Sequence, residues 1–319
     1  MNALPGAVPL LPTYDVNRMA AEAQSLRDLR WQAQRAYGSD GVFRETGIDW
    51  RILPLRAPGG DPDRTDPGGA GLVGHADTPY LDRAPYFAEI LAGIPAPLRS
   101  ARLMALGPGA QIEEHRDGKC GFPWGVARLH VPVITNPGAE VVIDGQSRHW
   151  DAGRLWFGDF NRPHYVRNTG DQPRVHLVID VMVTRALLEL FPATYRQELP
   201  LVDVLFAREP VPLRDDDLAG LRCTLPVPAQ FPQWSEDEEE YEPGPDRAGA
   251  VDMVDGIPVL SLDGQPCFGL VHTGLGEFRF EGWTEERTLH LDLSGPEPRA
   301  RFRTRNGHRL TEWIRQVSI

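Results

Sequence analysis

Apolar residues follow two different rhythms along the chain. Val16 to Tyr37 carries Ala, Leu, Gln and Arg without Gly or Pro, which predicts an amphipathic helix, and Pro85 to Ile94 predicts a second. Short apolar runs separated by Gly, Pro and Asn then follow at Ala101–Leu106, Ala127–Ile134, Glu140–Ile143, His149–Asp151, Arg154–Phe157 and Arg174–Val183. Evenly spaced short strands of this kind predict a β-sandwich or barrel, a mainly β fold with flanking helices. Arg185 to Leu190 is expected to be helical. Further strand-like runs occur at Pro258–Leu262, Phe268–His272, Glu277–Phe280, Thr288–Leu293 and Ala300–Thr304, and predict a small separate β-rich module.

Two stretches break these rhythms. Ala57 to Gly71 is too rich in Pro and Gly for a regular element and reads as a loop, either an inert excursion or a lid. Glu236, Asp237, Glu238, Glu239, Glu240 and Glu242, followed by Pro243-Gly244-Pro245, read as a charged linker. The expected division is a first domain over 1–190, with its β core at about 80–183, an irregular segment with the acidic linker over 191–247, and the accessory module over 248–319.

The acidic run supplies half of the formal net charge of −12, and neither the run nor the rest of the chain favours nucleic acid or anionic lipid, which are bound through Lys and Arg. Cys120, Cys223 and Cys267 are odd in number and widely spaced, as expected of free thiols in a reducing cytoplasm. The first residues have no basic start before a short apolar patch broken by Pro5, Pro9 and Pro12, so neither a signal peptide nor a membrane span is expected.

Five of nine histidines, His115, His130, His149, His164 and His176, fall between 115 and 176. Each taken alone is ordinarily a hydrogen-bonded strand-end residue. In His115-Arg116-Asp117, however, an imidazole and a carboxylate occupy positions i and i+2, which share one face of an extended chain. With His164 from a second strand, they form the two-histidine, one-carboxylate set of non-haem Fe(II) oxygenases, which leaves positions open for co-substrate and O₂. The same rule turns both polar groups of Arg128-Leu129-His130, and of Arg174-Val175-His176, inward. An inward Arg needs an anion. Either an acidic side chain (Asp180, Asp151 or Asp159) pairs with it, or a dicarboxylate held on the metal reaches Arg174 with its far end.

These residues also carry a resemblance. Pro85-Tyr86-Phe87, Ala101-Arg102-Leu103-Met104, His115-Arg116-Asp117, Arg128-Leu129-His130-Val131-Pro132-Val133, Gly153-Arg154-Leu155-Trp156-Phe157, Pro163-His164 and Arg174-Val175-His176 are similar, in order and spacing, to the aspartyl/asparaginyl β-hydroxylase family, which includes L-proline cis-4-hydroxylases. The resemblance implies a double-stranded β-helix (jelly-roll, cupin-like) and an Fe(II)/2-oxoglutarate-dependent dioxygenase. His115, Asp117 and His164 would hold iron, Arg174 would take the distal carboxylate of 2-oxoglutarate, and Arg128 and His130 would contact 2-oxoglutarate or substrate. Asp117 resembles the proline hydroxylases, since the vertebrate peptidyl enzymes lack this carboxylate; Arg154 stands where the family has Glu. The implied reaction is hydroxylation of an amino acid side chain, peptidyl Asp/Asn or, alternatively, free L-proline. A non-catalytic cupin-like binding protein is the contrasting expectation. The module would recognise substrate or a partner.

Overall fold

The computed structural model describes residues 4–37, 43–45, 47–214, 218, 220–235 and 241–319, with the backbone alone for 35–37 and 43–45. Most of the expected acidic run, 236–240, lies outside the described residues. The chain divides into two compact units: one contains the chain up to Gly68, His75–Gly121 and Val126–Pro200, and the other Gly69–Gly74, Phe122–Gly125 and Leu201–Ile319.

Strands of the first unit are β1 (Ala7–Thr13), β2 (Gln32–Ala33), β3 (Arg35–Tyr37), β4 (Phe43–Glu45), β5 (Trp50–Pro58), β6 (His75–Asp77), β7 (Leu98–Leu106), β8 (Gln111–His115), β9 (Val126–Ile134), β10 (Ala139–Ile143), β11 (Gln146–Arg148), β12 (Arg154–Gly158), β13 (His164–Asn168) and β14 (Arg174–Met182). Its helices are α1 (Val16–Ser25), α2 (Pro85–Ala92), α3 (Arg185–Leu188) and α4 (Ala193–Glu198). One sheet runs β1-β12-β9-β14-β7-β5-β2, with β6 on β5, and a second runs β11-β10-β13-β8. From β7 onward the chain alternates between these sheets except at the β10–β11 hairpin, and this crossing makes the unit a double-stranded β-helix. All nine residues of β14 are buried, as suits a central strand covered on both faces.

Three expectations need correction. The helix predicted to reach Tyr37 ends at Ser25, where the Leu26 carbonyl accepts from the Trp31 indole at 3.0 Å and Gln32–Ala33 leaves to pair with Arg51 and Ile52. Its start is fixed by Asp15, whose carboxylate accepts from the N–H groups of Asn17 and Arg18 at 2.9 and 3.1 Å. The strand expected at His149–Asp151 lies at Gln146–Arg148, because Asp144 (φ 50°) and Gly145 (φ 70°) make the tight turn immediately before it. His149 instead faces the Ala139 carbonyl across 3.2 Å.

The third correction concerns the module boundary at 248. The second unit is a meander of β15 (Cys223–Val227), β16 (Arg247–Val254), β17 (Ile257–Leu262), β18 (Gln265–His272), β19 (Glu277–Phe280), β20 (Arg287–Asp292), β21 (Arg299–Asn306) and β22 (Arg309–Gln316). Its first strand precedes the acidic run, and pairs along its length with β16. Thr224 and Ser318 exchange two backbone hydrogen bonds, at 2.8 and 2.9 Å, which join the first strand to the segment after the last and give a barrel-like module. Phe231, Phe278, Phe280, Leu289 and Phe302 fill its core.

Candidate active site

Strands β8 and β13 are neighbours in the smaller sheet, and their register sets His115 opposite His164 with ring centroids 4.3 Å apart. Asp117 lies two residues past His115, its N–H donating to the Phe160 carbonyl at 2.9 Å. One ligand atom from each of His115, Asp117 and His164 lies within 4.8 Å of the others. The Nδ1 atoms of the two rings sit 2.8 Å from the Glu113 carbonyl and 2.9 Å from the Arg162 carbonyl. A carbonyl only accepts, so each Nδ1 carries the proton and each Nε2 lone pair is left for a cation. The Nε2 atoms stand 3.5 Å (His115) and 3.9 Å (His164) from Asp117 oxygens.

Electrostatics favour the same set. Burial alone would raise the Asp117 carboxyl, but the Arg128 guanidinium and both imidazoles outweigh it and hold it well below the usual carboxylate range. Burial lowers His164 and favours its neutral form, whereas the contact with Asp117 raises His115, so that a cation bound there would displace a proton from its Nε2. A charged carboxylate and a neutral imidazole are the forms that bind divalent metals.

The two inward arginines differ. Arg128, expected to contact co-substrate or substrate, is already engaged: Nε and Nη2 fork onto Asp180 at 2.6 and 3.0 Å, and Nη1 donates to Asp117. Asp180 and Arg128 are facing partners on β14 and β9, and this internal ion pair engages Arg128 on the wall where a contact to 2-oxoglutarate or substrate is expected. Arg174 is 4% exposed, and its Nη2 has no hydrogen-bond partner among the described residues. Burial alone lowers it, to about 10, with no carboxylate opposing the shift. His130 Nε2 is likewise buried without a partner, while its Nδ1 lies 3.2 Å from His176 Nδ1 and its ring stacks on Phe160 at 4.8 Å. His176 faces His130 rather than the metal-type triad.

A cavity of about 600 Å³ brings these groups together, lined by the triad, Arg128, His130 and Arg174 on its polar side and by Trp50, Ile48, Met104, Ile112, Val166 and Val178 on its apolar side. Cys120 lines it as a small buried residue whose thiol is pushed up by burial. Phe122 and Trp124, just after the triad's first two members in sequence, are buried and are not among its lining residues. Sequence reasoning missed Trp50 and Ile48, because β5 and the segment before it read as unpatterned, and Gln34, because it fell within the helix expected to reach Tyr37. Of the Pro/Gly-rich loop, Pro67 lines the cavity, and the preceding residues are pinned: Arg64 forks onto Asp66 at 2.8 Å, and the Thr65 carbonyl accepts from Arg102 at 3.2 Å.

Comparison with known proteins gives the same chemistry a family. The chain is 27% identical over 146 residues to the L-proline cis-4-hydroxylase of Rhizobium meliloti, covering 45% of this chain and 51% of that one. It is 29% identical over 114 residues to the mouse aspartate β-hydroxylase domain-containing protein 1, covering 35% of this chain and 28% of that one. The chain thus spans at most about half the length of these relatives. A solved 2OG-Fe(II) oxygenase-family oxidoreductase from Burkholderia pseudomallei aligns over 55% of this chain and 84% of its own, at 15% identity and a TM-score of 0.36. The family pattern of aspartyl/asparaginyl β-hydroxylases matches residues 14–184, which is more than half of the chain and contains the triad and both inward arginines, and the chain belongs to that family.

Proposed function

We propose that the chain is an Fe(II)- and 2-oxoglutarate-dependent dioxygenase that hydroxylates an amino acid side chain, with peptidyl Asp/Asn as its first candidate substrate. The observation that carries this reading is Arg174, a buried guanidinium with a bare Nη2, on the wall of the cavity that the three ligand atoms also line. A buried cation without a partner is costly, and a carboxylate from a bound molecule supplies the missing acceptors in bidentate form.

His115, Asp117 and His164 would hold Fe(II) as two neutral imidazoles and one carboxylate. The bound metal and 2-oxoglutarate supply oxidising power from O₂, with release of succinate and CO₂. The chain's own work is positional. Arg174 orients the far carboxylate of 2-oxoglutarate, and His130 Nε2 offers one further polar contact beside it. Trp50, Met104 and Val178 exclude water from the apolar side, where the substrate C–H bond would lie. The pinned segment 64–67 closes part of this wall and acts here as a fixed side of the pocket.

The relatives' names include both a proline hydroxylase and an aspartate β-hydroxylase domain protein, so free L-proline is the second substrate to test. Succinate release from the full chain, measured with Fe(II), 2-oxoglutarate and a panel of Asp- and Asn-containing peptides and free amino acids, decides the matter. Coupled turnover on a peptide supports the first candidate. Turnover confined to free proline replaces it, and absence of O₂-dependent 2-oxoglutarate consumption with the whole panel sinks the enzymatic reading in favour of a binding protein.

A further inference from the structure

Behind the triad runs a continuous line of charged contacts. Asp180 is fully buried and receives four side-chain hydrogen bonds: two from Arg128, one from Ser100 Oγ at 2.8 Å and one from Arg102 Nη2 at 3.0 Å. Forked through Nε and Nη2 onto Asp180, the Arg128 plane has no freedom to rotate, and its remaining nitrogen, Nη1, donates to Oδ2 of Asp117. The other oxygen of Asp117, Oδ1, stands 3.5 Å from His115 Nε2.

We infer that Arg128 is a positioning residue: anchored by Asp180, it holds Oδ2 of Asp117 and commits that carboxylate to ligating a divalent cation through one oxygen. This rests on the metal reading of the triad given above. An unheld carboxylate swivels about its Cβ–Cγ bond and can chelate through both oxygens, which fills a coordination position that co-substrate or O₂ requires. A guanidinium fixed on Oδ2 opposes that swing and draws charge from the ligand. The role differs from that of Arg174, whose Nη2 is bare.

Cobalt(II) binding to the full chain without 2-oxoglutarate is the test, read as affinity and as the visible d–d absorption, which reports coordination number. Arg128→Met should weaken Co(II) binding by about tenfold to a hundredfold, the usual cost of losing a group that orients a metal ligand, and should change the d–d band. Arg128→Lys, which keeps one contact to Asp117 but not the fork, should recover part of the affinity without restoring the band. Arg174→Met should bind Co(II) like the unaltered chain. If Arg128→Lys and Arg128→Met keep the circular dichroism, Co(II) affinity and band of the unaltered chain, the inference is overturned. It is equally overturned if only 2-oxoglutarate affinity changes, since Arg128 is then a co-substrate contact. Failure of the unaltered chain to bind Co(II) is a different result, and removes the metal reading itself.

Discussion

Each unit buries a network of arginines and carboxylates, and the two networks end differently. In the barrel-like module, Glu277 accepts from Arg208 at 2.8 Å, Arg303 at 3.3 Å, Arg305 at 2.9 Å and Thr288 at 2.7 Å, while Glu285 takes the fork of Arg208 at 2.7 and 3.1 Å. Arg208, Arg303 and Arg305 each reach a carboxylate there. In the jelly roll, Asp180 and Asp117 engage Arg128, and Asp180 also engages Arg102, but Arg174 is left over. Matched charges hold a fold together; an unmatched buried cation marks where something else must come.

The sharpest test of the contrast is Asp117→Ala. Losing a ligand from a site the core does not need should reduce metal-dependent 2-oxoglutarate turnover to background with circular dichroism unchanged. Turnover near that of the unaltered chain would mean that Asp117 is no ligand and would favour a site of His115 and His164 alone. Glu277→Ala comes next. It removes a carboxylate shared by three arginines, of which Arg208 keeps Glu285 and Arg303 keeps Glu312, and by the usual cost of leaving buried hydrogen-bonding groups unpaired should destabilise the module by about 1–3 kcal/mol, read from denaturant unfolding. A loss below about 1 kcal/mol would place that network among weak surface pairs.

Arg174→Met should act the opposite way. Apparent 2-oxoglutarate affinity should fall by roughly tenfold to a hundredfold, as loss of a charged hydrogen-bonding group implies, yet the melting temperature without ligand should hold or rise because an unpaired buried charge is gone. A marked drop in that temperature would show Arg174 to be structural after all. The smallest effect concerns acid. Burial works to raise Glu277, but Thr288, Arg305 and Arg208 together bring it from 4.5 down to about 2. Its stabilisation is therefore complete above about pH 4.5 and is lost as pH falls toward 2. Glu277→Gln should flatten this part of the melting-temperature profile, and an unchanged slope would assign the acid sensitivity to other carboxylates.

What could be read from the sequence depended on how local the signal was. His115 and Asp117 lie two residues apart, so strand alternation alone put them on one face, and β7, β9, β12 and β14 emerged from their own apolar runs. The partner of Arg128 could be narrowed to three aspartates but not chosen, because the choice depends on the register of β14 against β9, set by pairing between distant segments. Strand β1 was hidden by its prolines, which an edge position beside β12 tolerates. In β15, Pro226 and the acidic run beyond it suggested a linker, although Asp255-Gly256 and Asp263-Gly264, with φ of 51° and 79° and of 51° and 78°, mark the tight hairpins that continue the same sheet. The helix extended to Tyr37 failed because Trp31 caps it by a side-chain contact that periodicity does not encode.

The bridge between Thr224 and Ser318 has a kinetic consequence. From β16 onward successive strands of the meander close through turns of two to six residues, and such hairpins form within microseconds. The bridge instead joins residues some ninety positions apart, and bringing the ends of so long a loop together carries an entropy cost that neighbouring contacts do not share. The barrel should thus assemble hairpin by hairpin and seal last at Thr224–Ser318. In pulsed hydrogen exchange, the Thr224 and Ser318 amides should gain protection after those of β17 and β18.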